Sequence, residues 1–255
     1  MAELVSRCGK SPTRCRELDI YEFGIFTGRM LRAMALQLDQ KEMASTIWGF
    51  DSFRGLPKDS AAAANGTFAG LRGNWGMFRA GELDVRRQVE ARNQANGIKL
   101  SRSRQEDGGV GAAMDAVYEY VNSSRLRLVP GFFNVSLTAT LAASHSMKPA
   151  LYVDIDSDQY IGSFQALDWL CRNGLLVNGT IIGYDDFNHG YPRGYKGWPP
   201  HRGNADEDPP LEGEARAHRE IEKRWGMRFT QLRRVPTSGW ESGWAFEVTH
   251  APEAS

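Results

Sequence analysis

The sequence predicts an α/β fold in which a doubly wound, mostly parallel sheet carries helices on its faces. Short runs of apolar and β-branched residues end in glycine or aspartate, which is typical of buried parallel strands. Helical patterns separate these runs, and strand, helix and strand over about thirty residues form the βαβ unit of a parallel sheet. The C-terminal region instead alternates polar and apolar residues, which predicts an antiparallel hairpin at the sheet edge.

The elements follow in a simple order along the chain. Five parallel strands are predicted to begin at Asp19, Thr46, Leu126, Ala150 and Thr180, and the hairpin strands at Arg228 and Trp244. Helices are predicted from Arg29, from Glu82 to Asn96, from Ala112 to Val121 and from Phe164 to Leu170. The sequence therefore predicts an N-terminal lead-in, 1–18, and one domain, 19–250, with a lid-like insertion at 58–80 and a substrate loop at 187–212.

Composition limits the classes of function. Lys+Arg and Asp+Glu both number 31 in 255 residues, so no overall basic field attracts nucleic acid or an anionic membrane. No apolar run approaches the roughly 20 residues of a membrane span, and charges near the N-terminus interrupt any apolar block of a secretory signal. Three cysteines are too few for a disulfide framework. We expect a cytoplasmic protein.

The first strand leads into a glycine-containing turn, Glu22-Phe-Gly-Ile-Phe-Thr-Gly28. Glycines let a backbone approach a ligand closely, and the following helix offers free amides at its start. The spacing is not Gly-x-Gly-x-x-Gly, which argues against a dinucleotide. Asp51 ends the second strand, where a carboxylate can accept hydrogen bonds from ribose hydroxyls or cap the turn at Ser52. The two features together favour a nucleoside pocket.

Acidic residues end two later strands. Asp154, Asp156 and Asp158 alternate at the end of the fourth strand, and Asp185 and Asp186 close the fifth. Neighbouring parallel strands finish at the same sheet edge, so these carboxylates should converge and repel unless a cation lies among them. Magnesium needs two or three carboxylates plus substrate and water. The pattern predicts a magnesium site.

The nature of the metal follows from the ligand types. No Cys/His set accompanies the aspartates, which disfavours zinc. A metal-free alternative, in which Arg193 or Lys196 neutralises the carboxylates, stays open at this point.

Four motifs resemble the macrocin O-methyltransferase family of class I enzymes, which depend on S-adenosylmethionine and magnesium and methylate sugar hydroxyls. They are Gly49-Phe-Asp-Ser-Phe-Arg-Gly-Leu-Pro57, Pro130-Gly-Phe-Phe133, Asp156-Ser-Asp-Gln-Tyr160 and Gly183-Tyr-Asp-Asp-Phe187. The resemblance covers residues 20 to 250 in order, and the first string is the most specific. It implies a Rossmann-like fold of the class I methyltransferase type.

The resemblance also implies roles for particular residues. The methionine part of S-adenosylmethionine would be surrounded by Glu22, Phe23, Gly24, Thr27 and Gly28. The ribose would be held by Asp51, the adenosine flanked by Ser52 and Phe53, and the adenine pocket bordered by Gly131 and Phe132. The metal would be held by Asp156, Asp185 and Asp186.

The general base does not transfer from the family. The family's histidine lies shortly after Gly-Leu-Pro, and this chain has none between Pro57 and His145. Gln159 and Gly162 also depart from the family pattern. The catalytic candidates are His189, three residues after the acidic pair, and Asp156, which could accept a proton while also holding the metal.

The leading hypothesis is an S-adenosylmethionine- and magnesium-dependent O-methyltransferase acting on a small polyol, sugar or catechol-like molecule. Two alternatives remain: a non-catalytic methyltransferase-like binding domain, and a nicotinamide-dependent oxidoreductase. The resemblance allows a homo-oligomer.

Overall fold

The computed structural model describes seven stretches of the chain: 17–41, 43–56, 109–157, 159–185, 187, 213–232 and 244–251. They fall into two units, the first made of the described residues up to 138 and the second of those from 139 onward. Several predictions lie outside the described residues: the insertion at 58–80, the helix at 82–96, Asp158, Asp186, His189 and the loop at 187–212 beyond Phe187.

The first unit contains three parallel strands in the order β3-β2-β1. Residues Ile20 and Ile47 are register partners in β1 and β2, and Ile47 is also the partner of Leu126 in β3. The elements are β1 (Asp19–Phe23), α1 (Arg29–Gln40), β2 (Ile47–Asp51), α2 (Val110–Val121), β3 (Leu126–Pro130) and the short α3 (Phe133–Ser136).

Burial explains why these residues form strands and an amphipathic helix. Every residue of β1 is buried, and Phe23 stacks on Phe50 of β2 with 4.6 Å between ring centroids. Helix α1 buries Leu31, Met34, Ala35 and Leu38, the spacing of one helical face. The buried residues of β1, β2 and α1 therefore form the apolar core of the first unit.

The second unit contains two parallel strands followed by an antiparallel pair, in the order β4-β5-β7-β6. Ile155 of β4 is the partner of Tyr184 of β5, and Tyr184 is the partner of Trp244 of β7. The elements are α4 (Leu141–Ser144), β4 (Ala150–Ile155), α5 (Tyr160–Arg172), β5 (Ile181–Tyr184), α6 (Gly213–Trp225), β6 (Arg228–Gln231) and β7 (Trp244–His250).

Helices α5 and α6 are joined by a buried carboxylate. Asp168 is 7% exposed, and its two oxygens accept hydrogen bonds from the Trp225 indole at 3.0 Å and from Arg172 at 2.7 Å. Arg224 forms a further ion pair with Asp168 at 3.0 Å. A buried carboxylate is tolerated when it is paired in this way, so Asp168 has a structural role.

The fold class predicted from the sequence is confirmed: an α/β, Rossmann-like arrangement with mostly parallel strands and a C-terminal antiparallel pair. Where the structure describes the chain, the predicted element positions agree within about four residues, and the helix predicted from Glu82 to Asn96 stays a prediction. Among the helices in the described ranges, none has the length and apolar composition needed to cross a bilayer.

Candidate functional site

Asp51, at the end of β2, binds the turn that follows β1. One carboxylate oxygen accepts hydrogen bonds from the backbone amides of Ile25 at 2.7 Å and Phe26 at 3.2 Å. The other accepts one from the amide of Phe53 at 2.7 Å. Burial raises the pKa of Asp51, and the three amide bonds oppose that rise. Asp51 therefore holds two turns together at the carboxyl ends of β1 and β2.

Two of the residues whose amides donate hydrogen bonds to Asp51 have unusual backbone conformations. Phe26 has a φ of 49° and Phe53 a φ of 53°, a left-handed region that side chains with a Cβ rarely adopt. Such residues cost of order 1–3 kcal/mol each and cluster at ligand sites. Their hydrogen bonds to Asp51 help to offset this strain, so the turns are held in a fixed shape.

The other residues predicted to contact the methionine part of the cofactor occupy different environments. Glu22 is 2% exposed and Thr27 is 7% exposed, and both lie at the same strand end. Phe23 is fully buried and stacked on Phe50, so its side chain belongs to the core. Gly24 has a φ of 93° and donates its amide to Phe50 at 2.9 Å.

Gly28 has a clear packing reason to be glycine. Its φ is 74°, and an added Cβ would lie 3.0 Å from Val117 of α2. The position is tight against α2 and begins α1. The positive φ of Gly28 and its contact with α2 therefore explain why this position is glycine, and no close approach of a ligand is needed to explain it.

Two of the residues predicted to border the adenosine, Ser52 and Gly131, form hydrogen bonds within the turns that follow β2 and β3. The Ser52 hydroxyl donates to the Gly55 carbonyl at 2.8 Å and accepts from the Arg54 amide at 3.0 Å. Gly131, with a φ of 130°, donates its amide to the Asp51 carbonyl at 2.8 Å. Phe132 precedes α3 and is half-buried. The structure thus brings Gly131 and Asp51 together at one strand end.

The acidic strand ends lie in the second unit. Ile155 and Tyr184 are register partners, and Asp156 and Asp185 are the residues that follow them. The Asp185 amide donates to the Ile155 carbonyl at 3.2 Å, which continues the pairing by one residue. Asp156 is half-buried and Asp185 is exposed. Strand β4 ends at Ile155, so Asp156 lies just past the strand.

Asp154 belongs to this region although the sequence analysis did not assign it to the site. It is 7% exposed and accepts a hydrogen bond from the Tyr152 hydroxyl at 2.7 Å. Burial raises its pKa to about 6; the Tyr152 hydroxyl opposes this rise and the negative charge of Asp185 adds to it.

Gly183 makes room for the buried Tyr152–Asp154 pair. It is the register partner of Asp154, and an added Cβ would overlap the Tyr152 hydroxyl and lie 3.1 Å from the Asp154 carboxylate. The glycine that interrupts the apolar run of β5 is therefore a signal in the sequence for a side chain crossing over that strand.

The donor types of the acidic strand ends fit a hard cation. Asp156 and Asp185 supply carboxylate oxygens, the ligands that magnesium prefers. Within the described ranges, no group of three or more His, Cys, Asp or Glu side chains has the geometry of a metal site. The third predicted ligand, Asp186, and the predicted base, His189, are outside those ranges.

An aromatic cluster lies next to Asp185. The Tyr184 hydroxyl is hydrogen-bonded to Nδ1 of His218 in α6 at 2.9 Å, and Phe187 contacts Tyr184 with 5.1 Å between ring centroids. Burial lowers the pKa of His218 to about 3, with a further contribution from Arg219. His218 is therefore neutral at physiological pH.

Similar folds occur among solved methyltransferases. The O-methyltransferase NovP aligns over 97% of this chain and 79% of its own, with a TM-score of 0.58 and 17% identity. The calicheamicin methyltransferase CalS11 aligns over the same shares, with a TM-score of 0.53 and 15% identity. No protein-family model matches the sequence, and no curated protein is similar to it at a significant level.

These likenesses define the class of fold. The chain has the α/β fold of class I methyltransferases, with a carboxylate at the end of its second strand and further carboxylates after the fourth and fifth. At this level of identity the likeness establishes the fold, and the function depends on the residues of the site.

Proposed function

We propose that the protein is an S-adenosylmethionine- and magnesium-dependent O-methyltransferase that acts on a hydroxyl of a small polyol, sugar or catechol-like molecule. The observation that carries the proposal is Asp51, which fixes the turns after β1 and β2 in a methyltransferase fold. The neutral charge balance of the chain favours a small-molecule acceptor over nucleic acid. The proposed enzyme is cytoplasmic and belongs to the macrocin O-methyltransferase type.

The geometry around Asp51 supports a ribose-binding role. A carboxylate offers about four lone-pair positions, and three amides occupy the Asp51 carboxylate in this structure. Counted over the described part of the chain, this leaves about one position for a ribose hydroxyl. The same side chain would then contact the cofactor and order the glycine-containing turn that receives its methionine part.

The acidic strand ends support the metal requirement. Asp156 and Asp185 follow paired residues of β4 and β5, and the Asp185 amide donates to the Ile155 carbonyl. Carboxylates that end paired strands in this way supply oxygen ligands of the kind that magnesium prefers. Asp156, Asp185 and Asp186 would hold it.

The reaction is a displacement at carbon. The acceptor oxygen forms a bond to the methyl carbon while the carbon–sulfur bond breaks, which yields a methyl ether and S-adenosylhomocysteine. When bound, the cofactor supplies the activated methyl group and the metal lowers the pKa of the acceptor hydroxyl. The turn around Asp51 would hold one reactant, and correct placement of the other would supply much of the rate enhancement.

The hydroxyl proton needs an acceptor within the protein. Asp156, half-buried just past β4, is the candidate base in the described part of the chain, and His189 is the second candidate. A base works best when its pKa is near the working pH. A His189→Gln variant tests the second candidate alone, because Asp156→Asn would also remove a proposed metal ligand. Loss of the basic limb from the pH profile of kcat would identify His189 as the base, and an unchanged profile would favour Asp156.

Methyl transfer from labelled S-adenosylmethionine tests the proposal. A panel of sugars, polyols and catechols is assayed with magnesium and with a chelator. We expect transfer to at least one class, lost on chelation. The double variant Asp185→Asn with Asp186→Asn should abolish this activity while S-adenosylmethionine affinity stays within a few fold. Full activity in the chelator would refute the metal assignment.

Calorimetric titration separates the alternatives. The proposed enzyme should bind S-adenosylmethionine and S-adenosylhomocysteine but neither nicotinamide cofactor. Tight binding of a nicotinamide cofactor would favour an oxidoreductase. Binding of S-adenosylmethionine without transfer to any acceptor would favour a binding domain.

A further inference from the structure

His218 lies at the centre of an aromatic cluster in the second unit. The cluster is defined by Tyr184, Phe187, His218, Phe229, Trp244 and Phe246. The His218 ring lies 4.3 Å from the centroid of Phe229 and 4.5 Å from that of Phe246. The side chain is 3% exposed. A polar ring buried among aromatic rings needs a hydrogen-bond partner, and Tyr184 provides it.

Two members of the cluster flank Asp185 in the chain. Tyr184 precedes it, is 2% exposed, and points its hydroxyl to His218 Nδ1 at 2.9 Å. Phe187 follows two residues later and meets the His218 ring edge-on, with 5.6 Å between centroids and 84° between planes. His218 thus contacts one residue before Asp185 in the chain, Tyr184, and one residue after it, Phe187.

The other neighbours of Phe187 make this arrangement rigid. Phe187 also packs on Phe246 at 4.9 Å and on Trp244 at 5.4 Å, and both of these belong to β7, the antiparallel neighbour of β5. Phe187, three residues after β5, is therefore held from the α6 side by His218 and from the sheet by β7. The backbone amide of Asp185 completes the set with its bond to Ile155.

Solvent has little access to the hydrogen bond between Tyr184 and His218. Tyr184 is 2% exposed and His218 is 3% exposed, and the Tyr184 hydroxyl lies 2.9 Å from Nδ1. A hydrogen bond buried in this way is stronger than one in water, and losing either partner leaves a buried polar atom unsatisfied.

We propose that His218 is a positioning residue: its Nδ1 bond to Tyr184 and its contact with Phe187 fix the end of β5 so that the Asp185 carboxylate is directed toward the metal. This inference rests on the function proposed above, because the metal is the group that Asp185 would hold. His218 contacts neither substrate nor cofactor in the proposal and acts through Tyr184 and Phe187.

Two substitutions at His218 separate hydrogen bonding from packing. The side-chain amide of His218→Asn lies where Nδ1 lies, whereas that of His218→Gln lies nearer to Nε2. We therefore expect Asn to keep the bond to Tyr184 and Gln to lose it, although Gln fills more of the ring's volume. Tyr184→Phe removes the bond from the other side. Phe229→Leu is the control for general loosening, because it removes packing on the His218 ring and leaves the bond in place.

The first readout is hydrogen exchange of the peptide covering residues 181–187, measured without metal. The second is Mn²⁺ affinity by calorimetry. We expect His218→Gln and Tyr184→Phe to speed exchange and weaken Mn²⁺ binding about tenfold, the effect of losing one buried hydrogen bond. His218→Asn should stay within about threefold of the wild type in both. Phe229→Leu should lower the melting temperature without changing Mn²⁺ affinity.

The two possible failures give different results. If the wild type binds Mn²⁺ and all four variants match it in affinity and exchange, the positioning role of His218 is wrong and the proposed function stands. If the wild type binds no Mn²⁺ while S-adenosylmethionine still binds, the metal-dependent function is wrong and the role of His218 in it is overturned as well.

Discussion

Asp51 illustrates how one side chain can serve the fold and the site together. The sequence placed a carboxylate at the end of β2 and left two readings open, a ribose contact or a local cap. The structure shows amide contacts both to its own turn, at Phe53, and to the turn after β1, at Ile25 and Phe26. The second contact could not be read from the sequence, because it joins positions 25 and 26 residues apart.

We predict that Asp51→Asn weakens both folding and cofactor binding. The amide has one accepting oxygen, so its NH₂ group must face an amide donor and at least one hydrogen bond is lost. The free energy of unfolding should fall by about 1–3 kcal/mol, the cost of a buried donor left without a partner. Denaturation by urea measures this change, and calorimetry with S-adenosylhomocysteine measures the affinity. A variant with wild-type stability and tenfold weaker affinity would show that Asp51 serves only the cofactor.

Asp154 alternates with Asp156 and Asp158 in the sequence, but only Asp156 of the three was predicted to bind the metal. Alternation alone does not show which carboxylate is buried. The deciding feature is Gly183 on the neighbouring strand, which gives space to Tyr152 and Asp154. Register between strands is a tertiary property that a single sequence does not display.

Asp154→Asn should stabilise the metal-free protein near pH 8. The neutral amide keeps an oxygen for the Tyr152 hydroxyl and removes a desolvated charge that Asp185 repels. A pKa near 6 in place of the ordinary 3.8 corresponds to a gain of at most about 3 kcal/mol in the free energy of unfolding. Thermal and urea denaturation in a chelator measure it. Destabilisation would mean that the charge of Asp154 is needed within the fold.

At the scale of elements, the strand ends were the most predictable part of the site. The predicted runs and the observed strands agree because buried parallel strands are short, apolar and stopped by polar or glycine residues. The apolar periodicity of β5 did not explain Gly183. In the structure this glycine leaves space for the Tyr152 side chain, which lies across the strand.

Gly183→Ala should therefore be strongly destabilising. The added methyl group would overlap the Tyr152 hydroxyl and press on the Asp154 carboxylate, and overpacking of this kind costs about 1–3 kcal/mol. Gly111→Ala is the matched control, since Gly111 lies in α2 and an added Cβ meets nothing within 4 Å. The control should gain about 0.5–1 kcal/mol from helix propensity. Equal melting temperatures for the two variants would contradict the packing at β5.

At the scale of the whole molecule, the sequence pattern was sufficient for the fold class and for the order of its strands. Five strands with parallel neighbours and a C-terminal antiparallel pair follow from local periodicity, loop glycines and the βαβ rule. The aromatic cluster around His218 was not predictable, because it gathers residues of β5, α6, β6 and β7 that share no local motif.

His218 also predicts how the stability of the whole protein depends on pH. Its pKa is about 3 in the folded state and about 6.5 in the unfolded chain. Between these values the unfolded state binds the extra proton, so the free energy of unfolding falls as the pH is lowered from about 6.5. One such group gives a slope of at most about 1.4 kcal/mol per pH unit.

The His218→Asn variant isolates this contribution, because the amide does not titrate and keeps the Tyr184 hydrogen bond. Urea denaturation at several pH values between 7 and 4 should give a steeper loss of stability for the wild type than for the variant. The carboxylates titrate in both proteins, so the difference between the two curves reports His218 alone. Parallel curves would mean that the pKa of His218 is the same in the folded and unfolded states. Water would then have to reach the aromatic cluster, and the hydrogen bond between His218 and Tyr184 would not be buried.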